Sequence, residues 1–312
     1  MTVNELMHEW IENEKSGHIK PRTYQRYIGL ISDHISPKIG EYEISQLTRK
    51  RVLEFINDRK TQGNQRNGGG LSPSSVNMLL TLIKLAFRYA RDMEYTDKDP
   101  CVNIKYAKDN ASTVDAFSAA EQLKIEKNVY LSNDKRLDGI ILCLYTGLRI
   151  GELLALTWDD FDPCAGTLKI NKTIYRYKDT DGISKVHVGS PKTESSNRAI
   201  PLPPHISDML SRNRLLSNGN YVIANKNGEQ MSIRSYQYIF RRLTVISGVR
   251  QLSFHALRHT FTTRAIECGI DVKTVSEILG HKNASITLNR YAHCIMDHKI
   301  LMVQRLQRIY QH

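Results

Sequence analysis

Over residues 105–116 the chain reads KYAKDNASTVDA, and apolar residues there lose both helical and strand spacing. That lapse constrains the fold more than any other feature, because the segments on either side follow different rules and must close over separate cores. With 312 residues in all, each side is long enough to do so without disulfides or a structural metal.

Before the break the signals are helical only. Thr2-Val3-Asn4-Glu5 is a capping box, in which the Thr2 hydroxyl takes an orphan amide while Glu5 reaches back. Val3, Leu6, Met7, Trp10 and Ile11 follow at helical spacing, and Tyr24, Tyr27, Ile28 and Ile31 continue an apolar face after the restart at Lys20-Pro21. A third helix is expected over 48–61, then a glycine-rich loop over 63–70. The fourth is the clearest: Ser72 caps it, Pro73 sits in its first turn, and Val76, Leu79, Leu80, Ile83, Phe87 and Ala90 form its buried stripe. Asn77, Thr81, Lys84, Arg88 and Arg91 recur on the other side, either as a solvated face or as a surface suited to a phosphate backbone.

After the break Ser118-Ala119-Ala120-Glu121 is a second capping box. Helices are expected to about residue 158, then short strands over 167–170, 174–177, 185–188 and 198–201, with a hairpin turn at 179–182. The rest reads as helix, apart from a further candidate strand over 221–224. The expected organisation is an all-α domain over 1–104, a linker over 105–116 and an α+β domain over 117–312.

Charge narrows the function. The 44 Lys and Arg exceed the 32 Asp and Glu by +12, which suits a polyanionic partner, either nucleic acid or an anionic membrane surface. The membrane option weakens because mean hydropathy is −0.42 and no run approaches the roughly 20 apolar residues of a spanning helix. The acidic, polar start MTVNELMHEWIENEK is no signal peptide. Five scattered cysteines without a CxxC pair read as reduced thiols in a cytoplasmic protein and exclude a zinc ribbon.

Four stretches of the second half carry candidate chemistry. In Thr146-Gly147-Leu148-Arg149-Ile150-Gly151-Glu152, one helix ends and the next begins with Arg149 near its positive end, where it either attracts an anion or pairs with Glu152. Lys192 lies between two strands, as a solvated turn lysine or one able to swing into a site. His255-Ala256-Leu257-Arg258-His259 follows Ser253, the expected N-cap, and places His255 and Arg258 on one helix face; Ala256 stands where HExxH requires glutamate, so a zinc site is disfavoured. Gly280 then stops a helix, His281 occupies the turn, and a short helix presents Tyr291.

Together these are the parts of a metal-free phosphoryl-transfer site. A pentavalent phosphodiester spreads negative charge over its non-bridging oxygens, which guanidiniums bind bidentately. A phenol needs nearby cations or a base to act as nucleophile, and the leaving alkoxide needs a proton.

In order, residue type and spacing, these motifs resemble those of the tyrosine recombinases, or phage integrases. The resemblance covers nearly the whole chain, since the N-terminal helices are similar to that family's four-helix, SAM-like core-binding domain. It implies a multidomain protein in which this domain precedes a mainly α, α+β catalytic domain with a small antiparallel sheet and a C-terminal tail helix. By motif, Arg149 is the first catalytic arginine and Glu152 its acidic neighbour. Lys192 is the general acid on the 5′ oxygen, and His255 and Arg258 form the pair that handles the tyrosine proton and grips the phosphate. His281 hydrogen-bonds the scissile phosphate and Tyr291 is the nucleophile.

The resemblance further implies a cut-and-rejoin reaction through a 3′-phosphotyrosine and a Holliday junction, with no cofactor and no metal. Its partners would be double-stranded DNA, three further copies of the chain in a homotetramer, and a directionality factor or host DNA-bending protein. The stripe of Lys84, Arg88 and Arg91 becomes a DNA face, and the tail residues Ile300, Val303, Leu306 and Tyr310 dock on a neighbouring copy or on their own domain. Many integrases carry an extra arm-binding module; here the core-binding segment starts at Thr2, so that module is lacking or lies outside this sequence. Type IB topoisomerases and telomere resolvases share the chemistry, but length and the two-domain layout favour a recombinase. A non-catalytic DNA-binding regulator of the same fold would show a substituted motif residue, and none is substituted.

Overall fold

Thr2 opens the first helix as its capping box predicts: its hydroxyl accepts from the Glu5 amide at 3.2 Å, and the Glu5 carboxylate accepts from the Thr2 amide at 2.8 Å. The computed structural model describes residues 1–64, 68–107, 115–178, 184–189, 197–281 and 283. The chain divides into two units, Met1–Ser112 with Arg176–Lys185, and Thr113–Tyr175 with Val186–His312.

In the first unit, α1 (Val3–Trp10) buries Val3, Leu6, Met7 and Trp10. It runs into a π-helical turn, Ile11–Lys15, where the Ser16 amide donates to the Ile11 carbonyl five residues back at 3.0 Å. After α2 (Pro21–Leu30) a second π turn, Ile31–Ile35, leads into the short α3 (Ser36–Ile39). Thr48 caps α4 (Arg49–Gln62) and Ser72 caps α5 (Pro73–Asp92). Every residue of the expected α5 stripe is buried. Part of the opposite side is used to fix the outgoing chain. Asn77 forms a reciprocal pair with Ala107, accepting from its amide at 2.7 Å and donating to its carbonyl at 2.9 Å. The Lys84 amine donates to the Ile104 carbonyl at 3.0 Å and lies 4.4 Å from the centre of the Tyr106 ring.

In the second unit, Ser118 and Glu121 form the predicted capping box of α6 (Ala119–Tyr130). There follow α7 (Asp138–Thr146), α8 (Ile150–Leu153), β1 (Phe161–Asp162), β2 (Thr167–Ile170), β3 (Thr173–Lys178), β4 (Ser184–Gly189) and β5 (Arg198–Pro201), the end of β3 and the start of β4 falling in the stretch grouped with the first unit. Strands β1, β2 and β5 form a small antiparallel sheet in that order, while β3 and β4 form a two-stranded one. Leu168 pairs with Ile200 and Ile170 with Arg198, and the three apolar residues of these pairs are buried. Among the described residues four helices follow: α9 (Pro204–Leu215), α10 (Ile233–Ile246), α11 (His255–Glu267) and α12 (Val272–Leu279). Helix α7 is buried along nearly its whole length, which places the core between it, α11 and the sheet.

Two expectations need correction. Residues 221–224 form no strand, because the segment meets two partners in turn: Tyr221 bridges to Thr157 and Ala224 to Gln230. Ser253 does not cap α11 through its side chain; it contributes its carbonyl, which accepts from the Ala256 amide at 2.9 Å. The hairpin turn at 179–182 and the tail helix lie outside the described residues. Among the described residues no helix is long and apolar enough to cross a membrane.

Candidate active site

Helix α7 ends because Gly147 takes a left-handed conformation, φ 65°, which costs glycine little. Two residues later Arg149 is extended and caps α8. The anion it meets is Glu152: Arg149 Nη1 donates to Oε1 at 2.7 Å, and the Arg149 amide donates to Oε2 at 3.1 Å. The pairing is lopsided, with the Arg149 side chain 37% exposed and that of Glu152 only 3%.

The second half of the site is the end of α12. Gly280, at φ 64°, stops that helix and leaves its last carbonyls without intrahelical partners, a locus of partial negative charge. Three guanidiniums gather on it. Arg258, from α11, donates through Nη2 to the Leu279 carbonyl at 2.9 Å and through Nη1 to the Gly147 carbonyl at 2.8 Å. Arg149 reaches the Leu279 and Gly280 carbonyls at 3.3 and 3.5 Å. Arg198, first residue of β5, donates through Nε to the Ile278 carbonyl at 2.5 Å.

Arg258 Nη2 also lies 2.7 Å from His281 Nε2. A guanidinium only donates, so that ring nitrogen accepts; the imidazole is then neutral and carries its proton on Nδ1. Arg198 completes the network, donating to Glu152 Oε2 at 3.0 Å and Oε1 at 3.4 Å. Burial by itself would raise the Glu152 carboxyl, but Arg198, by charge and hydrogen bond, and then Arg149 outweigh it and hold it below the ordinary carboxylate value.

Of the sequence-predicted residues, Arg149, Glu152, Arg258 and His281 therefore meet in one network. His255 begins α11 on the exposed side, its ring edge-on to His259 with centroids 4.6 Å apart. Lys192 and Tyr291 lie outside the described residues. In the other unit Arg88 and Arg91 are exposed on α5, whereas Lys84 is half-buried and bonded to the chain that follows. Among the described residues no three His, Cys, Asp or Glu side chains cluster as metal ligands would. Sequence reasoning missed Arg198. Strand alternation was the available signal, since Arg198 shares the parity of the buried Ile200 and so faces the same side of β5.

The chain is thus helical first and α+β second, and its second unit brings arginines from separate elements together on one helix end. The chain belongs to the phage integrase family: the Phage integrase family matches residues 100–298, and the phage integrase N-terminal SAM-like domain matches residues 2–59. It is similar to a tyrosine recombinase XerC-like protein of Caldanaerobacter subterraneus subsp. tengcongensis, 29% identical over 99% of this chain and 84% of that protein. It is also similar to the ICEBs1 integrase of Bacillus subtilis, 26% identical over 92% of this chain and 78% of that one. The structure resembles the Tn1549 transposon integrase bound to transposon right end DNA, with TM-score 0.81 and 25% identity over 98% of this chain and all of the other. The lambda integrase shares the fold at TM-score 0.71 and 21% identity, over 92% of this chain and 97% of that one.

Proposed function

We propose that this protein cuts and rejoins duplex DNA at specific sites through a 3′-phosphotyrosine on Tyr291. The observation that carries the reading is the single network that brings the Arg149–Glu152 pair together with Arg258 and His281, more than a hundred residues further along the chain, at the Leu279 carbonyl. As the Tyr291 oxygen bonds to phosphorus, its proton passes to His255 and charge builds on the non-bridging oxygens. Arg149 and Arg258 donate to those oxygens, and His281 adds the N–H of its other ring nitrogen. The bond from phosphorus to the 5′ oxygen breaks, and Lys192 supplies the proton that oxygen takes up. A 5′ hydroxyl from a partner duplex reverses the step. The phosphodiester energy is conserved in the tyrosyl ester, so neither nucleotide nor metal is consumed.

Four copies would hold two DNA sites and exchange strands through a Holliday junction, with Arg88 and Arg91, and Lys84 beside them, on the DNA face. The likeness to the ICEBs1 integrase and to the Tn1549 transposon integrase supports a role in integrating or excising a mobile element, a prophage or a conjugative transposon, in the cytoplasm, where a directionality factor or DNA-bending protein would assist. The test is a nicked suicide duplex carrying the element's core site, incubated in EDTA without nucleotide. Wild type should give a covalent adduct on a denaturing gel and Tyr291→Phe none. Tight binding with no adduct would point instead to a regulator that has the fold without the chemistry.

A further inference from the structure

We propose that Arg198 is a positioning residue for the cleavage step: it carries the buried charge of Glu152 from the inside and so leaves Arg149 available to the scissile phosphate. The inference rests on the phosphotyrosine reading above.

Exposure separates the two arginines that share Glu152. The Arg149 side chain is 37% exposed, whereas that of Arg198 is 7% exposed. Arg198 turns inward, its two terminal nitrogens forked on the carboxylate and its Nε on the Ile278 carbonyl, so it is placed to hold protein groups rather than substrate. A carboxylate buried to 3% must be compensated, and Arg198 is the leading opposing charge. Without it that demand falls wholly on Arg149, which would be drawn down onto Glu152 and away from an incoming phosphate.

A second effect acts through the backbone. Arg198 ties the start of β5 to the last turn of α12, whose next two carbonyls orient Arg258 and Arg149, and His281 follows directly. One side chain thus references the buried carboxylate, the start of β5 and the end of α12 to each other.

The test uses the full chain and a nicked suicide duplex, comparing wild type, Arg198→Ala, Arg198→Lys, Glu152→Gln and the Arg198→Ala/Glu152→Gln double variant. Thermal melting establishes that each variant is folded. Arg198→Ala is expected to bind DNA as wild type does but to form the adduct roughly 10²-fold more slowly, the scale of a small misplacement of reacting groups. Arg198→Lys keeps the charge but lacks the planar fork whose Nε and Nη donors reach Ile278 and Glu152 separately, and should fall between; it carries the test if the alanine variant does not fold.

Two further readouts distinguish positioning from general stability. With a 5′-bridging phosphorothiolate, whose thiolate leaves without a proton, the Arg198→Ala defect should persist, because the phosphate grip and not the general acid is impaired. In the Glu152→Gln background Arg198→Ala should cost clearly less than it does in wild type, since only the tie to the α12 end is left to lose. Folded Arg198 variants that cleave at the wild-type rate, rescue by the phosphorothiolate, or multiplicative effects in the double variant would each overturn the inference. A wild type that forms no Tyr291-dependent adduct would instead overturn the reading on which it rests.

Discussion

Replacing Glu152 by glutamine would leave Arg149 and Arg198 facing a neutral amide at a site where the side chain is only 3% exposed. Breaking a buried pair from one side typically costs about 3 kcal/mol, and in a unit of this size each kcal/mol lowers Tm by roughly 2–4 °C. Calorimetry at neutral pH should therefore show Glu152→Gln melting several degrees below wild type; an unchanged Tm would mean the carboxylate is not carrying this charge. The pH dependence has a definite sign. Because the folded-state value of Glu152 lies below the ordinary 4.5, its contribution is present above that value and is lost as pH falls through the lower folded one. The stability difference between wild type and Glu152→Gln should thus be largest near neutrality and shrink below about pH 4. At this scale the sequence was readable where function places residues in short motifs: Arg149 and Glu152 are three apart, and His255 and Arg258 share a helix face. Arg198 belongs to no such motif. A lone arginine at a strand start looks solvated until the parity of Ile200 is followed to the same face.

Each turn that aims a site residue depends on the packing around it. Gly147 has φ 65°, and a Cβ there would lie 2.6 Å from Leu279 Cδ2 and 2.7 Å from Phe261 Cδ1. Gly147→Ala combines backbone strain of about 1–3 kcal/mol with a push on α11 and α12, and its carbonyl is the one that orients Arg258. Urea denaturation should show that loss, and adduct formation should fall with it; a variant of wild-type stability would contradict the geometry. Helix starts were readable because caps are local: Thr2, Ser72 and Ser118 all accept as their spacing predicts. The two π turns were not, since each spans only five residues at the end of a helix, too short a stretch for a change of period to show. Residues 221–224 misled for the opposite reason, having strand composition without one continuous partner. Ser253 had the right residue type for a cap but offers only its carbonyl.

Over the whole molecule, the +12 charge favours DNA in a salt-dependent way, and the contribution of α5 can be separated residue by residue. If Arg88 and Arg91 contact phosphates, replacing either by alanine should weaken binding to all sequences and reduce the slope of log K against log salt by about 1. Lys84→Ala should leave that slope nearer wild type, because its amine is spent on the Ile104 carbonyl and Tyr106. Equal slopes for all three variants and wild type would remove α5 from the DNA face. The measurement that bears most directly on the central claim is the location of the covalent bond. Wild-type protein would be trapped on a nicked suicide duplex in EDTA, digested with nuclease and trypsin, and the adducted peptide sequenced by mass spectrometry. The account predicts a residual nucleotide, linked through its 3′ phosphate, on the peptide containing Tyr291. A nucleotide on any other side chain, or a 5′ linkage, would contradict it.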